Sequence, residues 1–318
     1  MAYRTKLILL LLGSLLLVAL YMTIDSGGNW EYILPRRGRN LLAIVITGAA
    51  ISFSTIVFQT ITNNRILTPS IIGLDSLYML IQTFVVFTFG SMSIAMVNAN
   101  LNFLLTAGGM IVFSFLFYQL LFKNEGEGNN IYFLLLIGLI LGTFFSSLTT
   151  FMQVLIDPNE FLNVQNRMFA SFNSVNADLL VLSLILFIAI SIYCIRYMKY
   201  LDVLSLGKDH AINLGVPYNK IVKRMLLIVA ILISIATALV GPITFLGLLV
   251  ANVTYEFLKT NKHIQIIPAS ILISIIALVG GQLIVERVFT FSTTLSVIVN
   301  FIGGTYFLYL LLKERKSW

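Results

Sequence analysis

Long apolar runs separated by short polar breaks dominate this chain. Ten hydrophobic segments can be marked, at roughly 6–24, 40–62, 70–90, 100–122, 130–152, 178–199, 221–240, 243–258, 265–285 and 293–312. A helix that crosses a bilayer needs about 20 mostly apolar residues, and the segments cluster near that length. The pattern predicts an all-α polytopic membrane protein of about ten transmembrane helices. The eighth segment is short and begins at Gly241-Pro242, a pair that stops one helix and can start another. Residues 157–177, opening on Asp157-Pro158, are polar enough to lie outside the hydrocarbon as a short surface helix. The apolar stretch after Arg4 and Lys6 exceeds a signal-peptide core and lacks a small-x-small cleavage site. It is expected to be a retained first span with its amino end inside.

Composition agrees with the pattern. Of 318 residues, 58% are hydrophobic and 10% are charged, and the mean hydropathy is +0.97. A soluble domain carries about 25% charged residues, so a cytosolic enzyme, a nucleic-acid-binding domain and a secreted disulfide scaffold are excluded. Nucleic acid is not an expected partner; the lipid bilayer is. The net charge of +7 is read as basic cytoplasmic loops. With ten spans and the amino end inside, both termini are cytoplasmic. Arg4, Lys6, Arg65, Lys123, Arg196, Lys199, Lys208, Lys220, Lys223, Arg224, Lys259, Lys262, Lys313, Arg315 and Lys316 then fall inside. Of the 20 basic residues, only Arg36, Arg37, Arg39, Arg167 and Arg287 fall outside. Cys194 is the single cysteine and is expected to be a packing residue.

Four of the outer arginines form a candidate surface. Arg36, Arg37 and Arg39 stand just before the second span and Arg287 at the end of the ninth. Each could snorkel to headgroups. Clustering favours a basic rim that docks an acidic partner. Small residues recurring within spans, Gly48-Ala49-Ala50, Gly108-Gly109, Gly138 with Gly142, Gly280-Gly281 and Gly303-Gly304, point to close helix packing.

The richest stretch is the loop after the sixth span, 202–217. Its two Leu-Gly pairs, Leu206-Gly207 and Leu214-Gly215, can each end a helical turn in the left-handed conformation, and Pro217 forbids simple continuation. Two short helices joined by a glycine turn are expected, forming a rigid knob able to transmit force.

Leu206-Gly207-x-x-x-Ala211-x-x-Leu214-Gly215 resembles the coupling motif of the iron-siderophore and vitamin B12 type permeases of bacterial ABC importers. Asn64-Arg65-Ile66-Leu67-Thr68-Pro69-x-x-x-Gly73 is similar to that family's segment after span two. Gly241-Pro242-Ile243-Thr244-Phe245-Leu246-Gly247-Leu248 resembles its Gly-x-Ile-x-Phe-x-Gly-Leu segment, and Gly303-Gly304-Thr305-Tyr306-Phe307 its carboxyl-terminal Gly-x-Pro-x-Phe. The resemblance runs in order from about residue 35 to the end. The wording of 62–70 and 289–294 resembles a Gram-positive subgroup that imports catecholate siderophores such as petrobactin. Three departures stand out: Ala251-Asn252 replaces the usual Pro-His, Tyr255 the usual Arg, and Thr305 the usual Pro. They fit one member of a heterodimer rather than a self-pairing permease.

The resemblance implies a multi-pass permease domain of the bacterial cell membrane, spanning 1–318. It implies no enzymatic activity and no cofactor in this chain, with ATP and Mg bound by two separate ATPase subunits. Further implied partners are a paralogous second permease, an extracytoplasmic siderophore-binding lipoprotein and the ferric siderophore. Leu206, Gly207, Ala211, Leu214 and Gly215 would couple to the ATPase, and Arg36, Arg37, Arg39 and Arg287 would dock the binding protein. Gln59, Asn252, Gln282 and Asn300 are polar groups within spans that could face the path; interhelical hydrogen bonds are the other reading. Only His210 and His263 could offer imidazole, both inside, and no Cys or carboxylate cluster lies within the spans. The sequence therefore favours transport of iron already wrapped in its chelator. Vitamin B12 or haem as cargo, and an ion-coupled secondary transporter, are the alternatives; the scarcity of mid-span carboxylates, with Asp75 the nearest, counts against the last.

Overall fold

The structure, a computed structural model, describes residues 3–24, 30–122, 131–172 and 175–315. Lys123 and Lys316, two of the basic residues expected inside, lie outside the described residues. Among the described residues every regular element is helical. In chain order these are α1 (Tyr3–Thr23), α2 (Trp30–Thr62), a 3₁₀ turn (Pro69–Ile72), α3 (Leu74–Phe89), α4 (Ile94–Val97), α5 (Ala99–Leu121), α6 (Ile131–Leu155), α7 (Pro158–Asn166), α8 (Ala177–Ile195), α9 (Met198–Leu204), α10 (Lys208–Asn213), α11 (Tyr218–Val240), α12 (Leu246–Leu258), α13 (His263–Arg287) and α14 (Leu295–Arg315).

All ten apolar segments are helices. Eight are long and apolar enough to cross a membrane; α3 and α12 are shorter apolar helices. The short pair is explained by what precedes each helix. Before α3, Asn64 accepts a hydrogen bond from the Ile66 amide (2.9 Å), Pro69 opens the 3₁₀ turn, and Gly73 takes φ +88°. Before α12, Gly241 has φ +99° and 242–245 stay non-helical. This corrects the expected start of the eighth segment: the helix begins at Leu246, not at the Gly-Pro pair. The intervening residues are held by bonds elsewhere, Thr244 Oγ1 donating to Asp75 Oδ2 (3.2 Å) and the Phe245 amide to Asn300 Oδ1 (3.4 Å).

A second correction concerns α2. Arg36, Arg37 and Arg39 lie inside this helix, not before it. At 1.5 Å per residue, its 33 residues extend about 50 Å, well beyond a ~30 Å hydrocarbon core. The charges therefore mark where the helix leaves the bilayer and not where it starts.

Helix α2 is the centre of the bundle. In its most apolar window 78% of residues are buried, against 11% for α1. It packs against α11, α12 and α13, and α1 lies on α13. Lipid tails are as apolar as leucine, so close packing rather than hydrophobic burial holds such helices together. One close approach of backbone to backbone is where the 3₁₀ turn meets α6. A Cβ on Gly73 would come 2.7 Å from Gly142 Cα, and one on Gly138 would come 2.9 Å from Ile72 Cα. Of the glycine pairs marked in the sequence, Gly108 and Gly280 face open space.

Candidate functional site

The knob between α8 and α11 is an elbow of α9 and α10. Gly207 joins them at φ +98°, and Gly215 ends α10 at φ +80°. The α10 terminus is a Schellman closure: the Gly215 amide donates to Ile212 O (2.9 Å) and the Val216 amide to Ala211 O (3.0 Å), with buried Ala211 and Val216 supplying the accompanying apolar contact. Space does not require glycine at 207 or 215, since a Cβ at either would meet nothing. The left-handed backbone does. Leu201, Leu204, Ala211 and Val216 are buried and seat the elbow, while Leu206 (56% exposed), Ile212 (48%) and Leu214 (63%) point outward. The elbow thus has two apolar faces and the bundle covers one.

Beneath it lies a cleft of about 490 Å³, lined by residues of α2, α12, α13 and the elbow. The Asp202 Oδ1 atom accepts from the His263 amide (2.8 Å) and lies 2.7 Å from His263 Nδ1. His263 Nε2 sits 2.7 Å from Thr60 Oγ1. The Arg65 carbonyl accepts from Gln59 Nε2 (2.6 Å) and Asn252 Nδ2 (3.1 Å), and its guanidinium stacks 4.5 Å over the Tyr255 ring. Two of the three departures from the family pattern, Asn252 and Tyr255, therefore meet at one arginine contributed by another segment. The Lys6 ammonium donates to Phe257 O, so the start of α1 lies at this same end.

At the far end the arginines divide. Arg37 Nη1 donates to the carbonyls of Tyr21 (2.7 Å), Met22 (3.3 Å) and Ile24 (2.7 Å). Arg287 Nη2 donates to Ile24 O (3.1 Å). The last carbonyls of a helix have no partner within it and carry the negative end of its dipole; these two cations cap α1. Arg36 and Arg39 stay exposed, Arg39 Nε donating back to Pro35 O (3.3 Å). Arg167, which sequence reasoning left aside, donates to Asn102 Oδ1 (3.1 Å) above a buried network in which Gln82 Nε2 reaches Asn102 (3.0 Å) and Thr106 (2.8 Å).

The four polar groups marked within spans are scattered and all bonded inside the protomer. Gln59 and Asn252 hold Arg65 at the elbow end, Gln282 Nε2 donates to Glu286 Oε1 (3.0 Å), and Asn300 caps the approach to α12. A different polar lane was missed. Thr143, Ser146, Ser147 and Thr150 are exposed along α6, at the three- and four-residue spacing of one helical face. Ser146 Oγ donates to Ser76 Oγ (3.1 Å). The period was present in the sequence, but the Phe and Leu residues between these hydroxyls mask it. Among the described residues no three His, Cys, Asp or Glu side chains gather into a metal-binding group.

The sequence profile of the FecCD transport family matches residues 6–313. The chain belongs to the FecCD transport family. The petrobactin import system permease protein YclO of Bacillus subtilis (strain 168) is 61% identical over 318 residues, all of both chains. The petrobactin import system permease protein FatC of Bacillus anthracis is 38% identical over 283 residues, 89% of this chain and 79% of that protein. A metal-chelate type ABC transporter, solved in an inward-facing conformation, superposes with a TM-score of 0.84 at 22% identity, covering 98% of this chain and 100% of the other. That likeness shows the fold. As a FecCD-family chain with eight long apolar helices, this is a multi-pass membrane protein.

Proposed function

We propose that this chain is the permease subunit of an ABC importer for ferric siderophores of the petrobactin class, moving the intact chelate inward. The observation that carries the reading is identity of 61% along the whole length of a petrobactin import permease. The elbow supports it independently. Two glycines held at positive φ and a row of outward leucines form a stiff apolar knob, as expected of a part that fits a groove on another subunit.

In this reading the elbow end faces the cytoplasm, with both termini; Leu206 and Leu214 form the coupling surface, while Gly207 and Gly215 set its backbone and buried Ala211 seats it on the bundle. Two separate ATPase subunits bind ATP and Mg there. Closure of the ATPase dimer moves the elbow and tilts the bundle between outward-open and inward-open states, a rigid-body switch. The two states must differ in their contacts with ATPase or binding protein, or nothing would shift. A paralogous permease forms the other half of the path; a protein of that description, YclN of Bacillus subtilis, is 28% identical to this chain over 291 residues. The hydroxyl lane on α6 suits the path better than Gln59, Asn252, Gln282 or Asn300, because its hydroxyls share one exposed face of a spanning helix, although Thr143, Ser147 and Thr150 each also donate to a carbonyl of that helix. An extracytoplasmic lipoprotein that carries the chelate docks at Arg36 and Arg39.

The test is reconstitution in vesicles with the paralogous permease, the ATPase and the binding protein. Uptake of radio-iron as the catecholate chelate should require ATP and survive collapse of the ion gradients. Uptake driven by an ion gradient without ATPase would overturn the reading. Transport of vitamin B12 or haem in place of the chelate would overturn the cargo assignment alone.

A further inference from the structure

We propose that Asp202 is the joint through which the elbow carries α13 and α2 with it, so that elbow movement becomes bundle movement. The proposal rests on the importer reading above and assigns a positioning role to a carboxylate outside the coupling motif.

The elbow is covalently tied only to α8 and α11. Its buried leucines seat it, but apolar contact is non-directional and permits sliding. Directional bonds do not. Among the described residues, the hydrogen-bonded side-chain link from the elbow helices to another helix is Asp202. One oxygen of that carboxylate takes both the backbone N–H (2.8 Å) and the ring Nδ1 (2.7 Å) of His263. The backbone N–H belongs to the first residue of α13, one of the donors that a helix start leaves unpaired, and a negative charge is favoured there. Asp202 thus caps α13 from a different helix.

The link continues beyond the cap. An ionised carboxylate only accepts, so Nδ1 carries a proton. The other ring nitrogen meets Thr60 Oγ1, in the last turns of α2, at 2.7 Å. A single imidazole therefore spans three elements. His263 is 2% exposed, so packing holds its ring in place as well as the two bonds. The Asp202 side chain is 49% exposed, at the rim where the elbow meets the cleft. The buried helix ends hold the rigid ring and the moving part holds the charge.

The test uses the complete importer in proteoliposomes and reads ATP hydrolysed per chelate imported. In Asp202→Ala that ratio should rise about tenfold, the size of a typical coupling between two sites. Asp202→Asn, which keeps the volume and an acceptor oxygen, should lie between wild type and Asp202→Ala. A residue that only stabilises the fold would lower uptake and hydrolysis in the same proportion, and an unchanged ratio would overturn the proposal. A second measurement does not depend on activity. Cysteines introduced at exposed Asn213 and Ile264 carry spin labels, Cys194 being buried. In wild type the distance between them should stay fixed when ATP binds. In Asp202→Asn it should change, and equal behaviour in both proteins would overturn the joint. Absence of ATP-driven uptake by the wild-type assembly would instead sink the importer reading, so the two failures are separable.

Discussion

Two regions of this bundle advertise themselves as contact surfaces, and they are built differently. At the elbow the outward side chains are apolar, and the backbone that presents them is fixed by two left-handed glycines. At the far end the advertised groups are long cations, and two of the four are already spent: Arg37 and Arg287 hold the carboxyl end of α1. A glycine held at positive φ constrains the chain locally and leaves its neighbours free to meet a partner. An arginine reaches several ångströms and takes whatever acceptor is nearest. Exposed leucines on a stiff turn are thus a stronger sign of docking than clustered charge, and the contrast can be broken experimentally from either side.

The largest effect is expected at the elbow. Gly207→Val with Gly215→Val forces β-branched residues into backbone that costs roughly 1–3 kcal/mol each to hold. Siderophore uptake should be abolished while membrane insertion is retained, read by uptake assay and membrane fractionation. Normal transport would dissolve the difference between the two regions, since the elbow's backbone would then be as dispensable as any loop. A smaller effect follows from its side chains. Leu214→Asp leaves the glycines untouched and places a charge in the outward apolar face. Co-purification with the ATPase should fall by about 10- to 100-fold, the loss of one well-buried apolar anchor.

The same contrast explains what the sequence discloses. The ten apolar segments are legible because lipid imposes one rule on every span. Gly207, Gly215 and Pro217 are legible because their effect is confined to neighbouring peptide units. The Asp202–His263 contact is not, since 61 residues separate the partners and neither stands in a recognisable spacing. The use of Arg37 is invisible for a further reason: its acceptors are main-chain carbonyls, which every residue possesses. Asn252 and Tyr255 look like losses against the family pattern until Arg65, from a distant segment, is seen bonded to one and stacked on the other.

At the rim, the exposed pair carries the docking expectation. Arg36→Glu with Arg39→Glu should weaken binding of the extracytoplasmic protein about tenfold, and raising the salt concentration should weaken the wild type toward the same value, because exposed charges are screened over about 8–10 Å at physiological ionic strength. Surface plasmon resonance on nanodisc-embedded importer would measure both. Salt-independent affinity would remove the rim from the docking surface.

Arg37→Met sharpens the comparison most finely. The substitution keeps an unbranched apolar side chain and deletes the guanidinium, which lies over the Tyr21 ring and serves the carbonyls of Tyr21 and Met22 in α1 and of Ile24 just after it. Hydrogen bonds to a charged group are worth about 1.5–3 kcal/mol where water is excluded. The Ile24 end of the site is exposed, so a loss near the lower figure is expected. It should appear as faster hydrogen exchange in the last turns of α1, without a change in affinity for the binding protein. Arg287 still reaches Ile24 O, which limits the fraying to the carbonyls that Arg37 alone serves, Tyr21 and Met22. A drop in docking affinity as large as that of the Arg36 and Arg39 reversals would mean that the rim acts as one electrostatic surface, whatever its internal bonds. The division between spent and available arginines would then carry no functional meaning.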